Sequence, residues 1–170
     1  IAPWRHELDL TSQDADSKIT KLLAGFQPAI VVNAAGIYKP GFTETHSHSF
    51  DVNVGSNWSI IRYYMQQPNQ PVTIVIVGSS SYLGAKPHHP LYSATKSAVY
   101  NLWQSAAEYF KNTAVNVHVI NPVRTKTKMV EQYHKPGMDY LQPSDVADKI
   151  LELSQEHGFQ CVDMNFKETK

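Results

Sequence analysis

Val72-Thr73-Ile74-Val75-Ile76-Val77 runs into Gly78, the serines Ser79, Ser80 and Ser81, and then Tyr82-Leu83-Gly84. An unbroken β-branched run between Pro71 and Gly78 reads as a strand buried on both faces, as in a parallel sheet. Downstream, Leu91-Tyr92-Ser93-Ala94-Thr95-Lys96 opens a helical pattern, with Ala94, Ala98, Leu102, Ala106 and Phe110 spaced along one face to about Lys111. The serines thus sit at the carboxyl end of a strand, and Tyr92 and Lys96 begin the next helix. Open α/β sheets bind their ligands at that edge.

Tyr92 and Lys96 share a helix face, so the phenol and the ammonium can meet. An ammonium against a phenol favours phenolate and draws its pKa down from about 10 toward the working pH. Such a phenol passes a proton to or from an alcohol or carbonyl oxygen, which a nearby serine hydroxyl would hold. This equipment oxidises alcohols or reduces carbonyls once something else carries the hydride.

The rest of the chain alternates in the same manner. A strand is predicted at His6–Leu10, then a helix around Asp14–Phe26 with Thr11, Ser12 and Asp14 as capping side chains. Strand Ala29–Val32 leads into a loop, Gly36–His48, and a helix around Ser49–Gln67 that Pro68, Asn69 and Pro71 close. After the Tyr92 helix come strand Val115–Ile120 and a segment rich in Lys, Gly and Pro, Thr125–Leu141, expected to be a loop over the site. A helix from about Ser144 to Gln155 and a strand around Phe159–Met164 finish the chain.

Several motifs, in order, resemble the short-chain dehydrogenase/reductase family. Asn33-Ala34-Ala35-Gly36 is similar to its Asn-Asn/Ala-Ala-Gly motif, and Asp51-Val52-Asn53-Val54 to the segment whose asparagine completes the catalytic tetrad. Ser81-Tyr82-Leu83-Gly84 fits its Ser-x-x-Gly, and Tyr92 to Lys96 its Tyr-x-x-x-Lys. Asn121-Pro122-Val123-Arg124-Thr125-Lys126-Thr127 resembles the Pro-Gly-x-x-x-Thr segment, and Asp9-Leu10-Thr11 the Asp-x-Thr near adenine.

The resemblance implies an α/β, Rossmann-like doubly wound parallel sheet and an NAD(P)H-dependent oxidoreductase acting on a small-molecule carbonyl or alcohol. Tyr92 would be the acid/base. Lys96 would lower its pKa and hold the cofactor ribose. Ser81, with Ser80 as its rival, would hold the substrate oxygen, and Asn53 a water linked to Lys96. Asp9 would touch adenine; Asn33, Ala34 and Gly36 would shape the turn beside the cofactor, with Asn33 bracing adjacent strands. Pro122, the backbone of Val123, and Thr127 would face the nicotinamide. The Thr125–Leu141 loop would carry the substrate lid.

Two departures stand out. Val123 replaces the family's usual glycine after Pro122. The glycines, at 25, 36, 41, 55, 78, 84, 137 and 158, also form no amino-terminal glycine-rich turn of the kind that seats pyrophosphate. The chain therefore reads as the carboxyl-terminal two-thirds of one such domain, lacking the first βαβ portion, roughly fifty to sixty residues. A catalytically inactive scaffold or protein-interaction domain is the alternative, which this gap favours only if the natural chain starts at Ile1; the Ser/Tyr/Lys/Asn set favours the enzyme.

Composition narrows the classes further. At 170 residues and 42% apolar, one domain is expected. A formal net charge of zero offers no basic stripe for nucleic acid or an anionic membrane. One cysteine, Cys161, excludes an internal disulfide framework and fits a reducing, cytoplasmic compartment. The longest apolar runs are strand-sized, so no membrane span is expected. His46 and His48, or His88 and His89, are too few for a zinc site beside one cysteine. Asn57-Trp58-Ser59 matches a glycosylation sequon but falls in a predicted helix.

A narrower likeness concerns the substrate. Ser79 to Tyr82, with Arg124-Thr125-Lys126-Thr127, resembles reductase domains of ribitol-phosphate and CDP-ribitol synthesis, sometimes fused to a cytidylyltransferase. That implies a pentulose phosphate such as ribulose 5-phosphate, with Arg124 as its phosphate contact. His89, with Lys86, His88 and Arg124, would line an anion-binding rim. Apolar residues crowd both long helices: Trp58, Ile60, Ile61, Tyr63, Tyr64 and Met65 on one, Val99, Leu102, Trp103 and Phe110 on the other. Their surplus predicts a homodimer or homotetramer packed on those helices.

Overall fold

Alternation within the strands decides which layers cover the sheet. Ile74 and Ile76 pack into one apolar cluster, whereas Val75 and Val77 point into another. The computed structural model describes residues 2–3, 6–41, 46–84 and 86–165, with the side chains of His46 and Ser47 left aside. Its elements are α1 (Ala15–Phe26), β1 (Ile30–Asn33), α2 (His46–Phe50), α3 (Ser56–Met65), β2 (Val72–Val77), α4 (Pro90–Tyr109), β3 (Val115–Pro122), α5 (Pro143–Leu153) and β4 (Cys161–Met164). The strands form one parallel sheet in the order β1-β2-β3-β4, with Ile30 opposite Thr73, Ile74 opposite Val117 and Asn121 opposite Asp163. Helices cover both faces, giving the expected Rossmann-like α/β architecture.

α1, α3 and α4 pack on one face through Ile19, Leu23, Ile61, Tyr64, Val99 and Phe110, against Ile74, Ile76, Val117 and Val119. α5 packs on the other through Val146, Ile150 and Leu153, against Val75 and Ile120. Each such aliphatic side chain contributes about 1.5–3 kcal/mol by burial. α4 starts with Pro90 at its first turn, where a missing N–H costs nothing. α5 also begins on a proline, Pro143, and Asp145 Oδ2 accepts the Gln142 amide at 2.7 Å to cap it.

Three expectations change. Residues 6–10 form a turn and irregular chain instead of a strand. They border a cavity of about 750 Å³ lined by Leu8, Leu10, Ile19, Ile30, Val32 and Ile60, so no strand of the described residues lies close enough for a ladder. The predicted helix from Ser49 begins earlier, at α2, and α2 and α3 are joined by one π-helical turn, Asp51–Gly55, in which Ser56 N–H reaches back to Asp51 O. Residues 42–45 of the preceding loop lie outside the described set. The apolar surplus assigned to a second subunit also turns inward: Ile60, Ile61, Tyr63, Tyr64, Val99, Trp103 and Phe110 are buried within the chain. Trp58 is the exception, 45% exposed. Among the described residues no helix is long and apolar enough to cross a membrane.

Residues 125–141 leave the sheet and return to it. Lys126 N–H donates to Leu141 O at 2.8 Å and Leu141 N–H to Arg124 O at 2.9 Å, so the excursion is pinned at its neck. It contains one 3-10 helix, Lys128–Tyr133.

Candidate active site

Parallel strands end on one edge, and there the described chemistry gathers. β2 ends at Val77, followed by Gly78, Ser79 and a 3-10 turn, Ser80–Leu83. α4 returns over that turn, where Ser93 Oγ donates to Ser81 O at 2.8 Å and to Gly84 O at 3.0 Å. This clamp brings Tyr92 and Lys96 to the strand end.

Lys96 is 4% exposed, and its ammonium donates to Val77 O at 3.0 Å. Burial pushes its pKa down to about 8. Its Nζ lies 5.6 Å from the centroid of the Tyr92 ring. The Tyr92 pKa moves up from its ordinary value, opposite to the sequence expectation, because burial outweighs everything else. The ammonium is directed at a carbonyl and lies over the ring, so it does not offset that burial. The Ser79 hydroxyl acts against the rise by stabilising the phenolate.

That interaction makes Ser79 a third candidate beside Ser81 and Ser80. Of the three serines, Ser79 is the one whose hydroxyl lowers the Tyr92 pKa. Ser79 Oγ accepts the Ser81 amide at 3.2 Å, which leaves its own O–H to donate elsewhere. Ser81 contributes its backbone: its N–H orients Ser79, and its carbonyl anchors Ser93. The short separation between Ser81 and Tyr92 was a signal for an earlier serine.

Asn53 is fully buried in the π-helical turn. It brackets Ile37, accepting its N–H at 2.7 Å and donating to its carbonyl at 3.0 Å, and donates to Thr95 Oγ1 at 2.9 Å. Thr95 in turn donates to Tyr92 O at 2.8 Å. Asn53 therefore ties the β1 loop to the Tyr92 helix. Gly36 lies between Asn53 and Lys96: a Cβ there would sit 3.5 Å from Asn53 Oδ1 and 4.0 Å from Lys96 Nζ. Met129, from the 3-10 helix of the 125–141 excursion, puts its methyl 3.7 Å from the same point.

Other expected positions separate. Asn33 does not brace adjacent strands; it binds α3, donating to Ser56 Oγ at 2.9 Å and Asn57 Oδ1 at 2.8 Å. Asp9 accepts the Thr11 amide at 2.9 Å and hydroxyl at 2.8 Å, forming a turn that borders the large cavity with Asn33, Ala34 and Gly36. The Val123 backbone is turned away from an open site: its N–H donates to Met164 O at 3.1 Å, its carbonyl accepts Thr125 Oγ1 at 3.0 Å, and its side chain packs in the core. Pro122 lies in register with Met164, and Thr127 precedes the 3-10 helix. Arg124 is exposed on the loop after β3.

Tyr38 was missed by sequence reasoning. Its ring meets Tyr92 edge-on at 5.1 Å, His89 at 5.3 Å and Tyr133 at 5.6 Å. It joins α4 to the 125–141 excursion. His89 has a lowered pKa, from burial first and then from the charges of Lys86 and His88. Among the described residues no cluster of His, Cys, Asp or Glu is arranged to hold a metal ion.

The short chain dehydrogenase sequence pattern matches residues 6–136. The chain belongs to that family. Solved structures agree in fold. A 4-hydroxyisoleucine dehydrogenase mutant complexed with NADH and succinate superposes with a TM-score of 0.78 at 22% identity, covering 96% of this chain and 79% of that one. ElxO with NADP bound gives 0.75 at 23%, covering 92% and 75%. A short chain dehydrogenase from Burkholderia cenocepacia J2315 in complex with NADP gives 0.77 at 18%, covering 93% and 67%.

Proposed function

We propose that this chain carries the catalytic groups of an NAD(P)-dependent oxidoreductase that interconverts an alcohol and a carbonyl. One observation carries the reading: a serine hydroxyl, a half-buried phenol and a buried ammonium, Ser79, Tyr92 and Lys96, gather at the carboxyl edge of a parallel sheet. The family and its NADP- and NADH-bound structural relatives support it.

The residues present fit the ribose end of a nicotinamide cofactor. Lys96 has three donors, and Val77 O takes one; the others suit paired hydroxyls reached beside Gly36, which adds no side chain between Asn53 and Lys96. Ala34 and Gly36 border the large cavity that would extend the seat. When bound, the nicotinamide supplies or accepts the hydride. In the reducing direction Ser79 donates to the carbonyl oxygen, and Tyr92 delivers its proton to that oxygen as it becomes an alkoxide. The Ser79 hydroxyl favours the phenolate that remains, and Lys96, protonated below its pKa of about 8, holds its ammonium against Val77 O beside the ring. Asn53 holds the loop and helix in register around them.

The substrate reading is narrower. Lys86 and His88 lie near enough to His89 to lower its pKa, which favours an anionic substrate at this rim. A pentulose phosphate such as ribulose 5-phosphate is the specific proposal, with Arg124 as a further phosphate contact. The test is NADPH and NADH oxidation by the intact protein with ribulose 5-phosphate, neutral ketoses and phenanthrenequinone. Turnover that Tyr92→Phe abolishes supports the oxidoreductase reading, and preference for the ketose phosphate supports the narrower one. Cofactor binding without turnover of any carbonyl would favour the scaffold.

A further inference from the structure

The serine turn is held by a side chain from the next strand. Gly78 N–H extends the β2–β3 ladder, donating to Ile120 O at 2.7 Å. The following amide, Ser79 N–H, goes instead to Asn121 Oδ1 at 3.2 Å, a side chain that is almost completely buried. Gly78 makes room for this reach, because a Cβ at that position would run into Asn121 Oδ1. The other end of the amide, Asn121 Nδ2, donates to Asp163 Oδ1 at 3.1 Å and to Cys161 Sγ at 3.4 Å.

Asp163 stands opposite Asn121 on β4 and also receives the Tyr82 phenol, at 3.2 and 3.0 Å on its two oxygens. The turn that carries the serines is therefore pinned twice. Its start is tied to Asn121, and its 3-10 segment, through Tyr82, is tied to Asp163. Ser79 N–H requires an acceptor at 121, and Asp163 requires a donor there. A carboxamide offers both from one side chain; an aspartate at 121 would lose the donor and face a second carboxylate.

We propose that Asn121, oriented by Asp163, is a positioning residue that fixes the Ser79 hydroxyl against Tyr92. The inference rests on the reading of Ser79 as the group that holds the substrate oxygen. The side chain of Asn121 binds Ser79, Asp163 and Cys161, so it acts on the placement of that hydroxyl. Its loss therefore lowers kcat and leaves the cofactor KM unchanged. Its effect also disappears when Ser79 has no hydroxyl to place.

The experiment combines kinetics with amide hydrogen exchange on the intact protein, using NADPH and phenanthrenequinone as the carbonyl probe. In Asn121→Ala, exchange at the Ser79 amide rises and kcat falls, each by about tenfold, the scale of one lost buried hydrogen bond. In the Ser79→Ala background, Asn121→Ala causes no further loss of kcat. Should Asn121→Ala fail to fold, Asp163→Ala, at an exposed side chain, moves both readouts in the same direction by a smaller factor. Unchanged exchange at Ser79, or kcat losses that multiply in the double variant, would overturn the assignment. A parent protein without turnover would count against the oxidoreductase reading, while exchange at Ser79 would still decide this one.

Discussion

The centre of the sheet and its β1 edge are built from similar residues to different ends. In β2, Ile74, Val75 and Ile76 are all but inaccessible; in β1, Ile30 and Val32 are 43% and 44% exposed. The centre has strands on both sides and helices on both faces. The edge looks onto a cavity of about 750 Å³ instead of a neighbouring strand. The groups proposed for proton transfer all hang from the centre, at the end of β2 and the start of α4. Asp9, expected near adenine, and Asn33, expected at the turn beside the cofactor, border the open side. Catalytic geometry and cofactor enclosure are thus separate properties of this chain, and one is far better supported by packing than the other.

The largest expected effect is on chemistry at the centre. Tyr92→Phe removes the proton donor and should lower kcat by about 10³-fold, within the range for general acid–base groups. Steady-state kinetics with an unchanged cofactor KM would confirm a loss confined to the chemical step.

Gly78→Ala comes next. The added methyl meets Asn121 Oδ1, which accepts the Ser79 N–H while Nδ2 of the same amide is tied to Asp163, so the side chain has nowhere to retreat. Thermal or urea unfolding should show a loss of about 2–3 kcal/mol, at the upper end for an overpacked site.

The two regions are compared directly by one pair of substitutions. Val75→Ala should cost about 2 kcal/mol, whereas Val32→Ala should cost under about 0.5 kcal/mol. Equal losses in urea unfolding would mean that the β1 edge is as enclosed as the centre.

Lys96 gives the smallest effect and the one with a pH signature. Its folded pKa, about 8, lies below the ordinary 10.5. Below pH 8 both states are protonated, and the fold bears the full cost of a buried charge. From about 8 to 10.5 the folded lysine is neutral while the unfolded one still holds a proton, so this group makes stability rise with pH across that window. Lys96→Met should flatten that rise and raise stability at pH 7 by on the order of 1 kcal/mol, after the lost bond to Val77 O is offset. Urea unfolding between pH 7 and 10 reads both.

What sequence reveals here follows the range of the interaction involved. The β2 strand and the Tyr92–Lys96 helix are local patterns, and both formed where the periodicity of their residues placed them. A strand at His6–Leu10 was also locally reasonable, but a strand depends on a partner, and the residues that would have to supply one are not beside it. The choice of serine is hard to read from sequence for a similar reason. Ser79, Ser80 and Ser81 are equivalent in composition, and the choice among them depends on a 3-10 turn, a cross-strand amide and Tyr82 reaching Asp163. Val123 was expected to present its backbone to a cofactor, yet β4 takes its N–H. Tyr38 was invisible because its ring contacts lie far away in sequence, on α4 and the 3-10 helix.

The central claim is that Ser79, Tyr92 and Lys96 form one proton-transfer site at the end of β2. The most direct test compares Ser79→Ala with Ser81→Ala in the intact protein, by kcat for carbonyl reduction. The geometry predicts a fall of about 10²- to 10³-fold for Ser79→Ala, the scale for removing one donor to a developing oxyanion, and little change for Ser81→Ala. The reverse order would place the substrate oxygen at Ser81 and contradict the site described here.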